Sequence, residues 1–504
     1  MRNAAGLEAA EEPRQERFEQ RKRLVGLAAG PLLFVVVLLW PLPSLDRPAH
    51  ALLAVFAWTV AYWMTEALPL AVTALLSSVL AIALGVAPAR AVLAAYGDPI
   101  IFLFVGSFVL AEAMKESGLD RRFALALLGH DWATRTPSRL LGTLGVITCG
   151  VSLWVSNTAT TAIMLPIGVG ILRALGQRGE AAGGRLSIGL LLMLAWASSV
   201  AVGIPVASPP NLIAIGMIRD LTDRRLTFFD WVAVTMPLTL LMLLLCWLIL
   251  KTLYLGGERL SGDLRAYVAA ERARLGPWSR AQQNVLVVFV LACVLWMLPG
   301  GIVMVVSPDA PLARFFETHL PESVVALGAA ILLFLLPTDP RRGEFTLAWP
   351  QAARIDWGTI LLFGGGLALG QLMFDTGLAE AIGSAVLHVT GAQSLWALTA
   401  VAILMGVLLS ETSSNTASAS MAVPVVIATA RTAGLSPVPP ALGAALGASF
   451  GFMLPVSTPP NAIIYGSRLV PLREMIRSGI YLDVVGAVLI WVGLRVLCPL
   501  FGVM

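Results

Sequence analysis

Charge is scarce in this chain. Only 13% of its 504 residues are Asp, Glu, Lys or Arg, against roughly 25% in soluble domains. With 58% hydrophobic residues and a mean hydropathy of +0.83, a soluble fold is excluded. The net charge of +4 comes without a basic run or basic–aromatic interleaving, which argues against a nucleic-acid partner. Cys149, Cys246, Cys293 and Cys498 stand singly in apolar segments, and His50, His130, His319 and His388 are scattered. Neither set has metal-site spacing. There is no HExxH and no nucleophile elbow. Asp98 and Asp356 lack the Gly-x-Gly-Asp context of a two-aspartate membrane protease. An enzyme is therefore not expected.

Long apolar runs are abundant. Many reach the ~20 residues that cross a bilayer as a helix, and the short alternating segments of a β-barrel are absent. The expected fold is an all-α polytopic membrane protein. Hydropathy predicts about eleven spans, near 25–42, 50–65, 68–87, 99–116, 186–218, 229–254, 283–305, 322–337, 356–374, 440–466 and 480–502. The charged segment 1–24 reads as a cytoplasmic lead into a first transmembrane helix (25–45), not a cleaved signal.

Two further apolar stretches, 140–172 and 395–430, enclose the polar triplets Ser156-Asn157-Thr158 and Ser414-Asn415-Thr416. Each stretch is either one long helix or two short ones meeting at the triplet. Suppose the N-terminus is inside and both stretches are re-entrant hairpins, entering and leaving on one face. Inside loops then hold 25 Lys and Arg residues and outside loops 6, the asymmetry expected of cytoplasmic and external sides.

The two halves repeat. Asp98 and Asp356 are 258 residues apart, as are Ser156 and Ser414, and "PVASPPN" (205–211) returns 250 residues later as "PVSTPPN" (455–461). The predicted division is repeat 1 at 46–255, a cytoplasmic linker at 256–282 and repeat 2 at 283–502. The hairpins are 140–172 and 395–430, and the broken helices 186–218 and 440–466. An odd number of spans per repeat makes the second repeat inverted. Inverted repeats with interrupted helices point to a secondary transporter.

The chemistry follows from the breaks. Two adjacent prolines remove two donors and end a helix. The carbonyls freed near Ala207 and Ser457 suit a cation, and the helices restarting at Asn211 and Asn461 offer positive N-termini to an anion. Oxygen ligands without a charged nitrogen suit Na⁺. Hydroxyl and N–H donors suit a carboxylate or sulfate. The alternative is that Ser, Thr and Asn merely join helices. A channel would need a continuous pore lining or charged rings. Glu66, Glu112, Asp98, Asp356 and Asp375 read as helix caps or salt-bridge partners, with Glu411, three residues before Ser414, a possible exception.

Paired Ser-Asn-Thr triplets, each followed by a Pro-Pro-Asn loop, resemble the divalent anion:sodium symporters, the solute carrier 13 type. The likeness runs from about residue 25 onward. It implies Na⁺-coupled plasma-membrane (cell inner membrane) import of C4-dicarboxylates such as succinate, malate or fumarate by a homodimer. Each protomer would have scaffold and transport domains working as an elevator. A Na⁺-independent dicarboxylate exchanger and a sulfate:Na⁺ symporter are the alternatives of the same fold. Carried over by position, one Na⁺ site implies Ser152, Ser156, Asn157 and the Ala207 carbonyl. The other implies Ser410, Ser413, Asn415 and Ser457. The resemblance assigns substrate contacts to Ser156, Asn157, Thr158 and Ser208, and to Ser414, Asn415, Thr416, Thr458 and Pro459. Many members carry glycine where Ala207 stands, and Gly-Gly where Val200 and Ala201 stand.

Overall fold

A computed structural model describes residues 2–504 except 131, 134, 176–183, 223, 256–263 and 306–309. Side chains are described from residue 20 onward and not at 303–305. The first half holds α1 (Arg2–Leu39), α2 (Arg47–Thr65), α3 (Leu70–Ala83), α4 (Ala89–Ala94), α5 (Pro99–Ser117) and α6 (Leu119–Leu128). It continues with α7 (Pro137–Ser152), α8 (Asn157–Ala174), α9 (Arg185–Ser199), α10 (Pro209–Leu221) and α11 (Phe228–Tyr254). A short α12 (Leu264–Arg274) follows, within the expected linker, of which 256–263 lie outside the described residues. The second half holds α13 (Arg280–Val305), α14 (Pro311–His319), α15 (Glu322–Leu335), α16 (Trp349–Ala352), α17 (Trp357–Asp375) and α18 (Leu378–Thr390). It ends with α19 (Leu395–Thr412), α20 (Asn415–Thr432), α21 (Val438–Ala448), α22 (Pro459–Gly466) and α23 (Leu472–Leu500). A small β1 (Pro337–Asp339) and β2 (Glu344–Phe345) hairpin precedes α16.

Among the described residues, seven helices are long and apolar enough to cross a membrane. The pair α14–α15, bent by 61°, makes an eighth. The sequence-based count of about eleven falls because breaks divide two of the expected runs and because α2 and α3, expected at 50–65 and 68–87, are not among the seven; α19, expected as half of the hairpin 395–430, is one of them. The run 186–218 is α9 and α10, and 440–466 is α21 and α22. Neither half of either run is a full span: α9 is 15 residues and α21 only 11. The charged N-terminal segment is continuous with the first apolar helix instead of preceding it.

Hydrophobicity sorts the layers. All of α9 from Leu186 to Ser199 is buried, as are α20 from Thr416 to Ala430 and α21 throughout. A helix apolar on every side belongs at the centre of a bundle. At the perimeter, Val287, Val290, Leu291, Val294 and Leu298 on α13 are exposed at helical spacing, and so are Val484, Val485, Val488, Val492 and Val496 on α23. These apolar stripes suit a bilayer.

Lipid supplies no hydrophobic drive between helices, so close packing of small residues holds the centre. Helices α19 and α21 cross backbone to backbone. A Cβ at Gly406 would sit 2.5 Å from the Ala444 carbonyl oxygen, and one at Gly447 would sit 2.5 Å from that of Ile403. Gly447→Leu should therefore lower the melting temperature of the purified protein by an amount at or beyond the ~1–3 kcal/mol typical of overpacking. Gly328→Leu, at an exposed position of α15 with open space around it, should leave it unchanged. Equal melting of the two variants would show that the crossing is not tight.

Candidate functional site

Both triplets interrupt helices. Residues 153–156 separate α7 from α8, and Ser413 and Ser414 separate α19 from α20. Each pair of helices packs against itself. The Pro-Pro-Asn runs do the same to α9–α10 and α21–α22, because the prolines occupy the first helical positions of α10 and α22. Proline at that position loses no intrahelical bond, since its missing N–H would have been an orphan.

Breaks leave backbone groups to be satisfied within the protein. Asn211 Nδ2 donates to the carbonyls of Val202 (3.2 Å) and Ile204 (2.9 Å). Asn461 Nδ2 donates to those of Gly451 (2.9 Å) and Leu454 (3.0 Å). From α11, Trp231 Nε1 also reaches Val202 (3.0 Å) and Thr235 Oγ1 reaches Gly203 (3.2 Å). The asparagines of the two Pro-Pro-Asn runs are fully buried and close the breaks from within.

The repeats interlock. Helix α22 packs against α8 and α9, while α10 packs against α20 and α21. Trp196 of α9 meets Phe452 of the second break at 6.0 Å between ring centroids. Four helix N-termini, those of α8, α10, α20 and α22, thus start at the residues predicted to meet substrate. Their N-cap residues are Ser156, Ser208, Ser414 and Thr458. Ser156 caps by accepting from Ala159 N–H (3.3 Å) and Thr458 by accepting from Asn461 N–H (3.3 Å). The hydroxyls of Thr158, Ser208, Ser414 and Thr416 make no hydrogen bond among the described residues.

The predicted cation ligands pair off alike in both repeats. Ser152 Oγ donates to Asn157 Oδ1 (2.9 Å), and Ser410 Oγ to Asn415 Oδ1 (2.8 Å). Ser152 also donates to the Ser198 carbonyl (2.9 Å), joining tip and broken helix in repeat 1. In repeat 2 that joint is made by Glu411. Ser457 Oγ donates to its carboxylate (2.7 Å) and to its backbone carbonyl (3.1 Å), and Met453 N–H donates to the carboxylate (3.0 Å). The Ser413 hydroxyl is committed to the Trp63 carbonyl (3.0 Å). Ser156, Thr158 and Pro459 are exposed, and Asn157, Ser414 and Asn415 half-buried. A cavity of about 790 Å³ at the far ends of α10, α17 and α20 contains none of these residues.

The other acids behave as caps or partners. Asp98 accepts from Ile100 N–H (2.8 Å) and pairs with Arg219 (2.6 Å), and Asp356 accepts from Thr359 N–H (3.0 Å). Glu112 pairs with Lys115 (3.2 Å), Asp375 accepts from Gln371 (3.1 Å), and Glu66 ends α2 in the left-handed region. Sequence reasoning missed three features. Asn211 and Asn461 are staples more than helix starts. Asp483, a carboxyl in the middle of the apolar part of the 29-residue α23, faces Glu411. Lys22 reaches the Thr412 carbonyl at 3.5 Å, beside the second tip. An isolated acid in an apolar span was the available signal for Asp483; nothing local marks Lys22.

A family model described as the sodium:sulfate symporter transmembrane region matches residues 21–502. The chain belongs to this symporter family. Its members are transporters, and the chain is a membrane transporter and not an enzyme. The sodium-dependent dicarboxylate transporter SdcS of Staphylococcus saprophyticus is 30% identical over 494 residues, 95% of this chain and 92% of that protein. The protein of the same name from Staphylococcus aureus is 32% identical over 486 residues, covering 93% and 90%. Among solved structures, the Alcanivorax borkumensis YdaH transporter shares the fold at a TM-score of 0.50 and 15% identity, over 79% of this chain and 85% of that one.

In this symporter-family chain, Asn461→Ala would take from the buried Gly451 carbonyl its donor, while Leu454 keeps the Ser457 N–H. Asn211→Ala would leave Val202 with Trp231 Nε1 and Ile204 with the Ala207 N–H. Asn461→Ala should therefore lose about 1–3 kcal/mol, read as a fall in melting temperature in detergent, and Asn211→Ala less. Unchanged melting would mean that water or neighbouring groups supply the donors.

Proposed function

We propose that the chain is a Na⁺-coupled importer of C4-dicarboxylates such as succinate, malate and fumarate. The observation that carries this reading is the duplicated tip: two Ser–Asn oxygen pairs at 2.9 and 2.8 Å, with uncommitted hydroxyls at three of the four helix N-termini. Ser152, Ser156, Asn157 and the Ala207 carbonyl form one Na⁺ site. Ser410, Asn415 and the carbonyls of Ser413 and Ser457 form the other. The substrate's carboxylates take donors from Ser156, Asn157, Thr158 and Ser208 on one side. On the other they take donors from Ser414, Asn415, Thr416 and Thr458, with Pro459 against them. Helix N-termini carry partial positive charge, and the bound cations offset the cost of a dianion away from water. The name of the staphylococcal relatives supports both the ion and the substrate class.

No Arg or Lys lies within 152–158 or 410–416, which favours symport over a Na⁺-independent exchanger. Sulfate is the competing substrate. The protein works as a homodimer in the plasma (inner) membrane, with the N-terminus and the 256–282 linker in the cytoplasm. The hairpins 140–172 and 395–430 and the broken helices form a transport domain that moves as an elevator against a scaffold. The bonds from Ser413 to Trp63 and from Lys22 to Thr412 put the second tip level with the end of α2 and the basic part of α1. That depth supports an inward-facing state.

Labelled succinate should enter proteoliposomes only with an inward Na⁺ gradient, and malate or fumarate should compete. Equal uptake in choline medium, driven by internal dicarboxylate, would move the assignment to an exchanger, and competition by sulfate alone to a sulfate carrier. Asn157→Ala and Asn415→Ala should each abolish uptake while the protein still assembles. Near wild-type rates in both would mean that the tips only join helices.

The inverted arrangement has its own test. On a background lacking the native cysteines, Arg135→Cys at the base of α7 should react with an impermeant thiol reagent only from the cytoplasm. Gln393→Cys at the base of α19 should react only from outside. Labelling of both from one face would make the repeats parallel and remove the shared pocket.

A further inference from the structure

A groove of about 490 Å³ runs between α6 and α12, outside the transport site. Ala126, Ala269 and Ala273 line it together with Arg122, Arg272 and Trp278. Arg122 is held in position. Its Nη2 donates to the carbonyls of Leu275 (3.0 Å), Gly276 (3.0 Å) and Pro277 (3.1 Å), and its guanidinium stands 5.0 Å from the Trp278 ring centroid. Its Nε is buried without a partner. Arg272 is exposed and makes no ion pair or side-chain hydrogen bond among the described residues. Its guanidinium lies against Gly129, at the C-terminal end of α6.

No carboxylate is among the described residues lining the groove. The nearest acid in sequence, Glu271, is taken by Arg121 and Arg274, both at 2.6 Å. The 790 Å³ cavity is different: it mixes Arg224 and Arg431 with Asp220, Asp375 and Glu380, so its charges oppose one another. The α6–α12 groove presents positive charge alone.

Its depth is also defined. Helix α6 follows the end of α5 at Ser117, and the spanning helix α13 begins at Arg280, two residues after Trp278. The groove therefore sits at a membrane–water boundary, on the face bearing most of the Arg and Lys residues. Trp278 in its lining exposes 44% of its surface and Leu127, next to the lining residue Ala126, exposes 47%, an apolar wall at the level where tryptophan anchors a protein in a bilayer.

We propose that this groove binds the phosphate headgroup of an anionic phospholipid, with the acyl chains against Leu127 and Trp278. Arg272 and the remaining N–H groups of Arg122 supply charge-assisted hydrogen bonds to phosphate oxygens. Basic pockets on the cytoplasmic side of membrane proteins take such headgroups. The apolar wall is what commits the site to a lipid over a soluble phosphate. Helix α12 also packs Tyr267 against Gly170 of α8, so a lipid bridging α6 and α12 would brace the base of the first hairpin.

The test uses the full-length protein in nanodiscs of phosphatidylcholine, with and without an equal part of phosphatidylglycerol, followed by native mass spectrometry of retained lipid. Wild type should retain phosphatidylglycerol in preference to phosphatidylcholine. Arg272→Gln should weaken that retention about five-fold, the effect of one interfacial cation. Ala269→Glu, which puts a carboxylate into the groove from an exposed position, should weaken it at least as much. Arg342→Gln, on the β1–β2 turn and outside the groove's lining, should not change it. Melting temperatures identify variants that fail to fold, and either exposed-site variant suffices. Equal retention of the two lipids by wild type overturns the proposal. So does wild-type retention by folded Arg272→Gln and Ala269→Glu protein. Displacement of the lipid by millimolar inorganic phosphate would assign the groove to a soluble anion and overturn the lipid reading.

Discussion

A peptide group inside a membrane must find its partner within the protein, and the whole arrangement around the tips depends on that constraint. Two helices are broken by paired prolines, and each break frees carbonyls that no helix can use. In both repeats one asparagine, five residues or fewer into the restarted helix, turns back and donates to two of them. The breaks persist because those bonds are made; without them, unpaired polar groups in hydrocarbon surroundings would cost several kcal/mol each. Polar residues are few in this chain, and many of them serve the breaks.

The repeats obey the same rule with different chemistry. In repeat 1 the break draws donors from α11, through Trp231 and Thr235, and its tip is tied by Ser152 to the Ser198 carbonyl. In repeat 2 a carboxylate takes over: Glu411 holds Ser457 and the Met453 amide, with Asp483 facing it from α23. At the repeat-1 positions matching Glu411 and Ser457 stand Leu153 and Ala207, which offer no such bond. The second tip is therefore fastened to its broken helix through a side-chain carboxyl that takes two donors, and the first through a single serine hydroxyl. The two halves of the proposed pocket thus differ in how firmly their oxygens are held, although their triplets are identical.

Small residues make the interlocking possible. Helices α20 and α21 are rich in Ala, Ser and Gly and are buried on every side, and the Gly406–Gly447 crossing brings α19 onto α21 at backbone distance. Bulkier residues there would push the second hairpin away from its break. The α7–α8 pair is braced where α12 packs against α6 and α8, and the α19–α20 pair by the small-residue core.

Much of the architecture was legible in the sequence. Hydropathy marked an all-α membrane protein while merging helices that the breaks divide, and the offsets of 258 and 250 marked the recurring motifs. The proline pairs marked the breaks, and each triplet proved to start a helix, because local chemistry alone ends a helix at Pro-Pro and caps one at Ser-Asn. Tertiary structure decided what local chemistry leaves open. The direction of an asparagine amide, toward a ligand or toward a freed carbonyl, depends on which backbone lies beside it. That is why Asn211 and Asn461 became staples, while Asn157 and Asn415 pair with serines five residues earlier. The roles of Glu411, Asp483 and Lys22 likewise rest on contacts between residues far apart in the chain, such as the 390-residue separation between Lys22 and Thr412. Periodicity and motif spacing carry no information about such distant neighbours; only packing brings them together.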